Sequence, residues 1–123
     1  MANNISITIA LKSPDLDNQE LQDSIENLLS QFREVEEVEQ ANLIAVEEIP
    51  EGAKSMGGFL IGMLKAEVNP AGIKNLFSFL RERLSGKAIE MEVEANGKKL
   101  KVKASSQAEL MAAIQAAHEF VAA

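Results

Sequence analysis

Residues Pro50 to Leu84, PEGAKSMGGFLIGMLKAEVNPAGIKNLFSFLRERL, decide how the rest of the chain is read. The stretch opens as a glycine-rich turn, passes into a short apolar segment and ends as an amphipathic helix. Its second half is the more explicit: Ile73, Leu76, Phe77, Leu80 and Leu84 form one stripe at helical spacing, with Lys74, Arg81, Glu82 and Arg83 off it. Asn69 supplies a cap, and Pro70 takes the first helical position, where its missing N–H is not needed. Ser85-Gly86 marks the end, because glycine supplies a left-handed cap and Arg81 and Arg83 suit the negative end of the helix dipole. The first half, Gly58 to Val68, reads as a further helical segment with Phe59, Leu60, Met63, Leu64 and Val68 in register. Gly57, Gly58 and Gly62 weigh against it.

On the N-terminal side, Ile5, Ile7, Ile9 and Leu11 alternate with Ser6, Thr8 and Ala10, the period-two pattern of a strand with one buried face. Ser13-Pro14-Asp15 breaks it. From about Leu16 to Arg33 the apolar spacing becomes helical (Leu21, Ile25, Leu28, Leu29, Phe32), with Asp15, Asp17 and Glu20 where a helix start favours negative charge. Glu34, Glu36, Glu37 and Glu39, around Val35 and Val38, either finish that helix or form a solvated turn. Ala41 to Ile49 is apolar on both alternations until Glu47 and predicts a second strand, more buried than the first and closed by Pro50. If these two strands are parallel neighbours, their crossover is right-handed and the helix covers one face of the sheet.

On the C-terminal side, Lys87 to Ser105 is the clearest local signal. Asn96-Gly97 suits a two-residue turn with positive backbone angles, setting Val93 opposite Leu100, Met91 opposite Val102 and Ile89 opposite Ala104. The same register places Glu94 against Lys99, Glu92 against Lys101 and Glu90 against Lys103, so that this face meets water and the helices belong on the other. Ser106-Gln107-Ala108-Glu109 is a capping box opening a final helix with Leu110, Ile114, Ala117 and Val121 as its stripe. The order strand, helix, strand, helical segment, β-hairpin, C-terminal helix predicts one α+β domain over 1–123. Its sheet is expected to be mixed, with about four strands and helices mainly on one face.

Composition bounds the function. At 123 residues the chain is the size of one domain, able to bury roughly two-thirds of its unfolded surface. An apolar fraction of 46% excludes a disordered or fibrous class. There is no cysteine, which removes disulfides and thiolate metal sites and fits an intracellular setting. The first residues, MANNISITIALK, lack the basic head and apolar run of a signal peptide, so a cytoplasmic protein is expected. A net charge of −7 opposes nucleic-acid phosphates and anionic membranes, and the absence of Trp and Tyr removes the usual stacking platforms.

Few residues suggest chemistry. Gly52, Lys54, Gly57 and Gly58 form a loop that invites comparison with phosphate-binding turns, since backbone amides and a lysine suit an anion. The P-loop spacing is absent: Ala53 separates Gly52 from Lys54, and Glu47 stands where the leading glycine belongs. The loop is therefore a structural turn, a partner contact or a generic anion site. His118 is the sole histidine and has no cysteine or second histidine to complete a nucleophilic or metal set. Ser105 and Ser106 are explained as caps. The carboxylates at 34–39 and 47–51 lack the alternation of a calcium loop and read as a solvated surface. Met56, Phe59, Met63 and Phe77 at helical spacing suit a core better than a ligand pocket. No cofactor is expected, and no metal or catalytic residue is assigned.

The segment from Gly57 to Val68 carries more apolar surface than an outer helix of a small domain needs, and Gly58 and Gly62 stand at the small-xxx-small spacing that permits close helix approach. It falls well short of the roughly 20 residues of a membrane span. Phe59, Leu60, Met63 and Leu64 are the candidate interface, for a second copy or a protein partner. Plain core is the competing reading, and a membrane-surface helix anchored by Lys54 and Lys65 a third.

In its element order, its Pro50-x-Gly52-Ala53-Lys54 turn followed by Gly57-Gly58, its Leu80–Leu84 helix end, its Glu/Lys hairpin and its Ser106-x-x-Glu109 box, the chain resembles the effector-associated constant component family over nearly its whole length. That resemblance implies a small non-catalytic accessory domain of bacterial conflict systems, encoded beside effectors such as caspase-like or trypsin-like peptidases. An effector peptidase or a signalling protein is then the expected partner. Gly52, Lys54, Gly57 and Gly58 match the family's turn, and the resemblance assigns them no role.

Overall fold

The computed structural model describes residues 4–45, 55, 56 and 59–122. Its elements run β1 (Ile5–Leu11), α1 (Asn18–Glu34), β2 (Val38–Ala45), β3 (Ser55–Met56), β4 (Phe59–Val68), a 3-10 turn (Pro70–Gly72) leading into α2 (Ile73–Arg83), β5 (Ile89–Ala95), β6 (Lys98–Ala104) and α3 (Gln107–Ala122). The long strands form one sheet in the order β2-β4-β1-β5-β6, the short β3 also pairs with β4, and every pairing is antiparallel.

The α+β class holds, but the expected mixed sheet with fewer strands is corrected at its centre. The segment from Phe59 to Val68 is a strand, not a helix, and it lies between β1 and β2. Leu64, Ala66 and Val68 are buried and stand opposite Ile9, Ile7 and Ile5, while Met63, Lys65 and Glu67 face the other way beside Ala10, Thr8 and Ser6. The physical reason is the need of β1 for a ladder on both sides. A strand buried on its isoleucine face cannot leave a row of N–H and C=O groups unpaired, and β4 pairs one edge of it as β5 pairs the other. Gly62 also adopts φ 70°, which no helix accommodates.

β1 and β2 are consequently not neighbours. Both run antiparallel to β4 and so parallel to each other, a split β-α-β unit, and with β5 beyond β1 the order β1-α1-β2-β4-α2-β5 is that of a ferredoxin-like sheet. β6 and α3 extend it. The second strand starts earlier than the sequence pattern predicts, at Val38. Within its described part only Ala41 is fully buried, so it is less buried than β1, because it occupies an edge and β1 the interior. Residues 46–49 of the predicted strand lie outside the described residues.

The local predictions fare better. Asp17 caps α1, its carboxylate accepting from the Glu20 N–H at 2.8 Å while Glu20 accepts from the Asp17 N–H at 3.0 Å. Of the two readings of the acidic run, a turn holds: Val35–Glu37 link α1 to β2, and the turn is tied to the start of α2. The Glu37 carbonyl accepts from Asn69 N–H at 2.9 Å, and its carboxylate accepts from Asn75 Nδ2 at 3.0 Å. Asn69 caps the Pro70–Gly72 turn through its side chain, and Gly86 ends the helical region at φ 77°. The whole predicted stripe of α2, Ile73 to Leu84, is buried.

The β5–β6 hairpin has the predicted register at every pair from Ile89–Ala104 to Ala95–Lys98, with Asn96 and Gly97 at φ 54° and 76°. Its charges are arranged differently from the three direct ion pairs the register suggests. Among the described residues only Glu90 makes ion pairs, diagonally to Lys101 at 3.6 Å and across to Lys12 of the β1 end at 3.5 Å. One continuous core joins Ile5, Ile7 and Ile9 of β1 and Met91 and Val93 of β5 to Ile25 and Phe32 of α1, Leu76 and Leu80 of α2 and Leu110 and Ile114 of α3. The reverse face of the sheet carries Ser6, Thr8, Lys65, Glu92 and Lys101.

Candidate functional site

β4 extends past the end of β1, and the chain around that overhang forms the candidate site. β1 and β4 pair as far as Ala10–Met63, after which β3 takes the place beside β4, pairing Ser55 with Leu60 and Met56 with Phe59. On the other side β2 steps from Leu43 to Ala45 while β4 runs from Leu64 to Phe59, so the extra β4 residues bulge between two paired ends. Gly62 makes the bulge possible. At φ 70° it turns its N–H out of the ladder toward α1, where Gln22 Oε1 accepts it at 2.9 Å. Gln22 is the one polar side chain in the core among the described residues, and this bond is why α1 tolerates it there.

The bulge leaves a groove of about 460 Å³ with a mixed lining: Leu60, Ile61 and Met63 of β4, Pro14 and Leu16 of the β1–α1 loop and Leu21 of α1 give it apolar walls, and Ser13 and Asn18 add polar groups. Lys12 at its rim is the only charged side chain lining it among the described residues. On the reverse face of the sheet a second hollow, about 200 Å³, is shaped by Thr8, Ala10 and Met63 and framed by Lys12, Glu90 and Lys101. Met63 belongs to both.

The four residues of the predicted interface therefore divide. Leu60 and Met63 are half-buried and line the groove. Leu64 is fully buried between Ile9 and Leu43 and is corrected to core, because the strand period turns it to the face opposite Met63. Phe59 heads β4, and its side chain lies outside the described residues, as do Gly52, Lys54, Gly57 and Gly58 of the candidate anion loop. The small-xxx-small reading of Gly58 and Gly62 is corrected too, since Gly62 sits in a strand bulge. Ile61 and Leu16 are groove residues that helical spacing did not single out, and Leu21, expected in the core stripe of α1, lines the groove as well. The alternation Leu64-Lys65-Ala66-Glu67-Val68 is the signal that points to a strand.

Two carboxylates elsewhere are held in structural hydrogen bonds. Ser105 and Glu109 cap α3: the Glu109 carboxylate accepts from Ser105 N–H at 2.8 Å and from Ser105 Oγ at 2.9 Å, while Ser106 Oγ accepts from Glu109 N–H at 3.2 Å. These bonds, the backbone one foremost, hold Glu109 below the ordinary value of 4.5. The Asn75 amide, with a backbone contribution, lowers Glu37 in the same way. His118 is half-buried and packs edge-to-face on Phe77, ring centres 6.0 Å apart. Among the described residues no three His, Asp or Glu side chains gather as a metal set, and no helix is long and apolar enough to cross a membrane. No family model, curated protein or solved structure matches this chain. Its class rests on its own topology: an antiparallel α+β domain with a split β-α-β centre and a bulged strand opening a groove at the end of the sheet.

Proposed function

We propose that this domain is a non-catalytic protein-interaction module, acting in the cytoplasm as an accessory component of a bacterial effector system. One observation carries the reading: among the described residues, a groove with Leu60, Ile61 and Met63 on its wall lies open at the end of the sheet, although the core is already closed by helices. Apolar surface left in a concavity is the usual seat of a partner's anchoring side chain. The occupant we assign is an aliphatic or aromatic side chain from a loop of the effector protein, with Lys12 at the rim meeting an acidic neighbour. The sequence resemblance to accessory domains encoded beside effector peptidases supports the same reading.

The test is co-expression with the product of each neighbouring gene, followed by size-exclusion chromatography with light scattering. A stable complex is expected for the unmodified domain. Ile61→Glu and Met63→Glu, which place a charge in the groove without touching the core, should weaken it by about tenfold or more. Undiminished binding by both variants overturns the groove as the contact. A homodimer that the same variants dissociate makes a second copy the occupant instead.

A further inference from the structure

β6 ends the sheet, and among the described residues no strand pairs with its outer edge. The hairpin itself determines which backbone groups that edge presents. Ala95 and Lys98 flank the turn at Asn96–Gly97, whose positive φ values are those of a type I′ turn closed by a hydrogen bond between them. Hydrogen-bonded and non-hydrogen-bonded pairs then alternate along the ladder. Leu100, Val102 and Ala104 direct their N–H and C=O groups to β5, whereas Lys99, Lys101 and Lys103 direct theirs outward. The same three lysines are exposed and set their side chains on the open face of the sheet, opposite Glu94, Glu92 and Glu90. Of the three, only Lys101 has a carboxylate within ion-pair distance among the described residues. On the other face Leu100 and Val102 are half-buried, Val102 packed against the core.

The geometry points to this edge as a docking site for an extended segment of a partner protein in which acidic and apolar residues alternate. Its backbone would take up the outward groups of Lys99, Lys101 and Lys103, its carboxylates would lie along the lysine row, and its apolar side chains would cover Leu100 and Val102. β6 already binds this pattern on its inner side, as Ile89-Glu90-Met91-Glu92-Val93-Glu94 of β5. The lysine row also sets like charge against the β6 edge of another copy, so what deters self-pairing favours an acidic strand. The opposite edge is not equivalent, because Arg33 Nε donates to the Ala41 carbonyl of β2 at 3.1 Å. The inference rests on the reading of the domain as an interaction module and uses a surface separate from the groove.

The experiment titrates the full chain into a fluorescent alternating Val-Glu peptide and reads anisotropy. Binding is expected, and an alternating Val-Lys peptide should not bind. Lys101→Pro deletes one outward N–H and leaves the bonds to β5 in place; it should weaken binding by about tenfold, against about twofold for Lys101→Ala. The double variant Lys99→Glu/Lys103→Glu should lose the Val-Glu peptide and gain the Val-Lys peptide, which decides the matter even if Lys101→Pro fails to fold. Ile61→Glu, in the groove and away from the lysine row, should leave peptide binding unchanged, which separates this edge from the groove. No binding at about 1 mM peptide overturns the proposal. So does an equal loss in Lys101→Pro and Lys101→Ala, which would reduce the contact to charge alone. Oligomers of the free chain that Lys101→Pro dissolves would make a second copy the occupant and overturn it also.

Discussion

The β5–β6 hairpin and strand β4 belong to the same antiparallel sheet and each buries one face, yet the sequence specifies them in different ways. In the hairpin, partners are close in the chain: Asn96-Gly97 fixes the turn, and period-two alternation on both sides sets Val93 on Leu100 and Glu92 on Lys101. In β4 the partners are remote. Leu64 meets Ile9 on one side and Leu43 on the other, and nothing near Leu64 announces either. The stretch from Phe59 to Leu64 is apolar on both alternations, so periodicity alone does not distinguish a buried strand from a helix. Strand identity there is imposed by β1, which needs a second neighbour.

The comparison is most easily broken at Leu64. As a residue buried between two strands, Leu64→Ala should lower the unfolding free energy in urea by about 2–5 kcal/mol, the transfer and cavity cost of a core leucine. A helical segment with Leu64 on a free face would give a change within about 0.5 kcal/mol. A result in that range would sink the central placement of β4.

A second contrast lies between two glycines with positive φ, Gly97 in the hairpin turn and Gly62 in the bulge. An alanine at either position pays for a left-handed backbone, about 1–2 kcal/mol. At Gly97 that is the whole cost, since a Cβ there meets nothing within 4 Å. At Gly62 a Cβ lies 3.4 Å from the Leu11 carbonyl oxygen and 3.5 Å from Leu21 Cβ, ordinary van der Waals distances, so Gly62→Ala should cost about as much as Gly97→Ala in thermal or urea unfolding. A clearly larger loss at Gly62 would mean that the bulge cannot take a methyl at these distances.

These contrasts explain how much of the molecule is legible in the chain. The strand over Ile5–Leu11, the α1 and α2 stripes, the hairpin register and the caps at Asn69 and Ser106 all depend on residues within a turn or two of one another. The strand order does not, because the insertion of β4 between β1 and β2 is decided by long-range ladders. The candidate groove inherits that difficulty: it exists only where β4 overruns β1, so Leu60 and Met63 were recognisable as an apolar pair, while nothing in the chain shows that Leu16 of the β1–α1 loop and Leu21 of α1 meet them. Gln22 illustrates the same limit. On α1 it looks like an ordinary polar residue, and only the bulge at Gly62 shows why it is buried.

The finest test of local against remote determination uses two carboxylates. Glu109 is held low chiefly by the N–H of Ser105, a neighbour in the chain, and Glu37 chiefly by the side chain of Asn75, across the fold. Each has a folded value below the ordinary 4.5, so the unfolded chain binds the more protons on acidification. The stability each contributes is complete above the ordinary value and is lost as pH falls through the lowered one. Carboxyl NMR titration should show Asn75→Ala returning Glu37 most of the way to 4.5 without moving Glu109, because the larger cause has been removed. Ser105→Ala removes only the hydroxyl from Glu109 and should leave the greater part of its shift, since the backbone donor remains. A full return of Glu109 in Ser105→Ala would show that its cap depends on the side chain, and the distinction between backbone-held and side-chain-held carboxylates would fail.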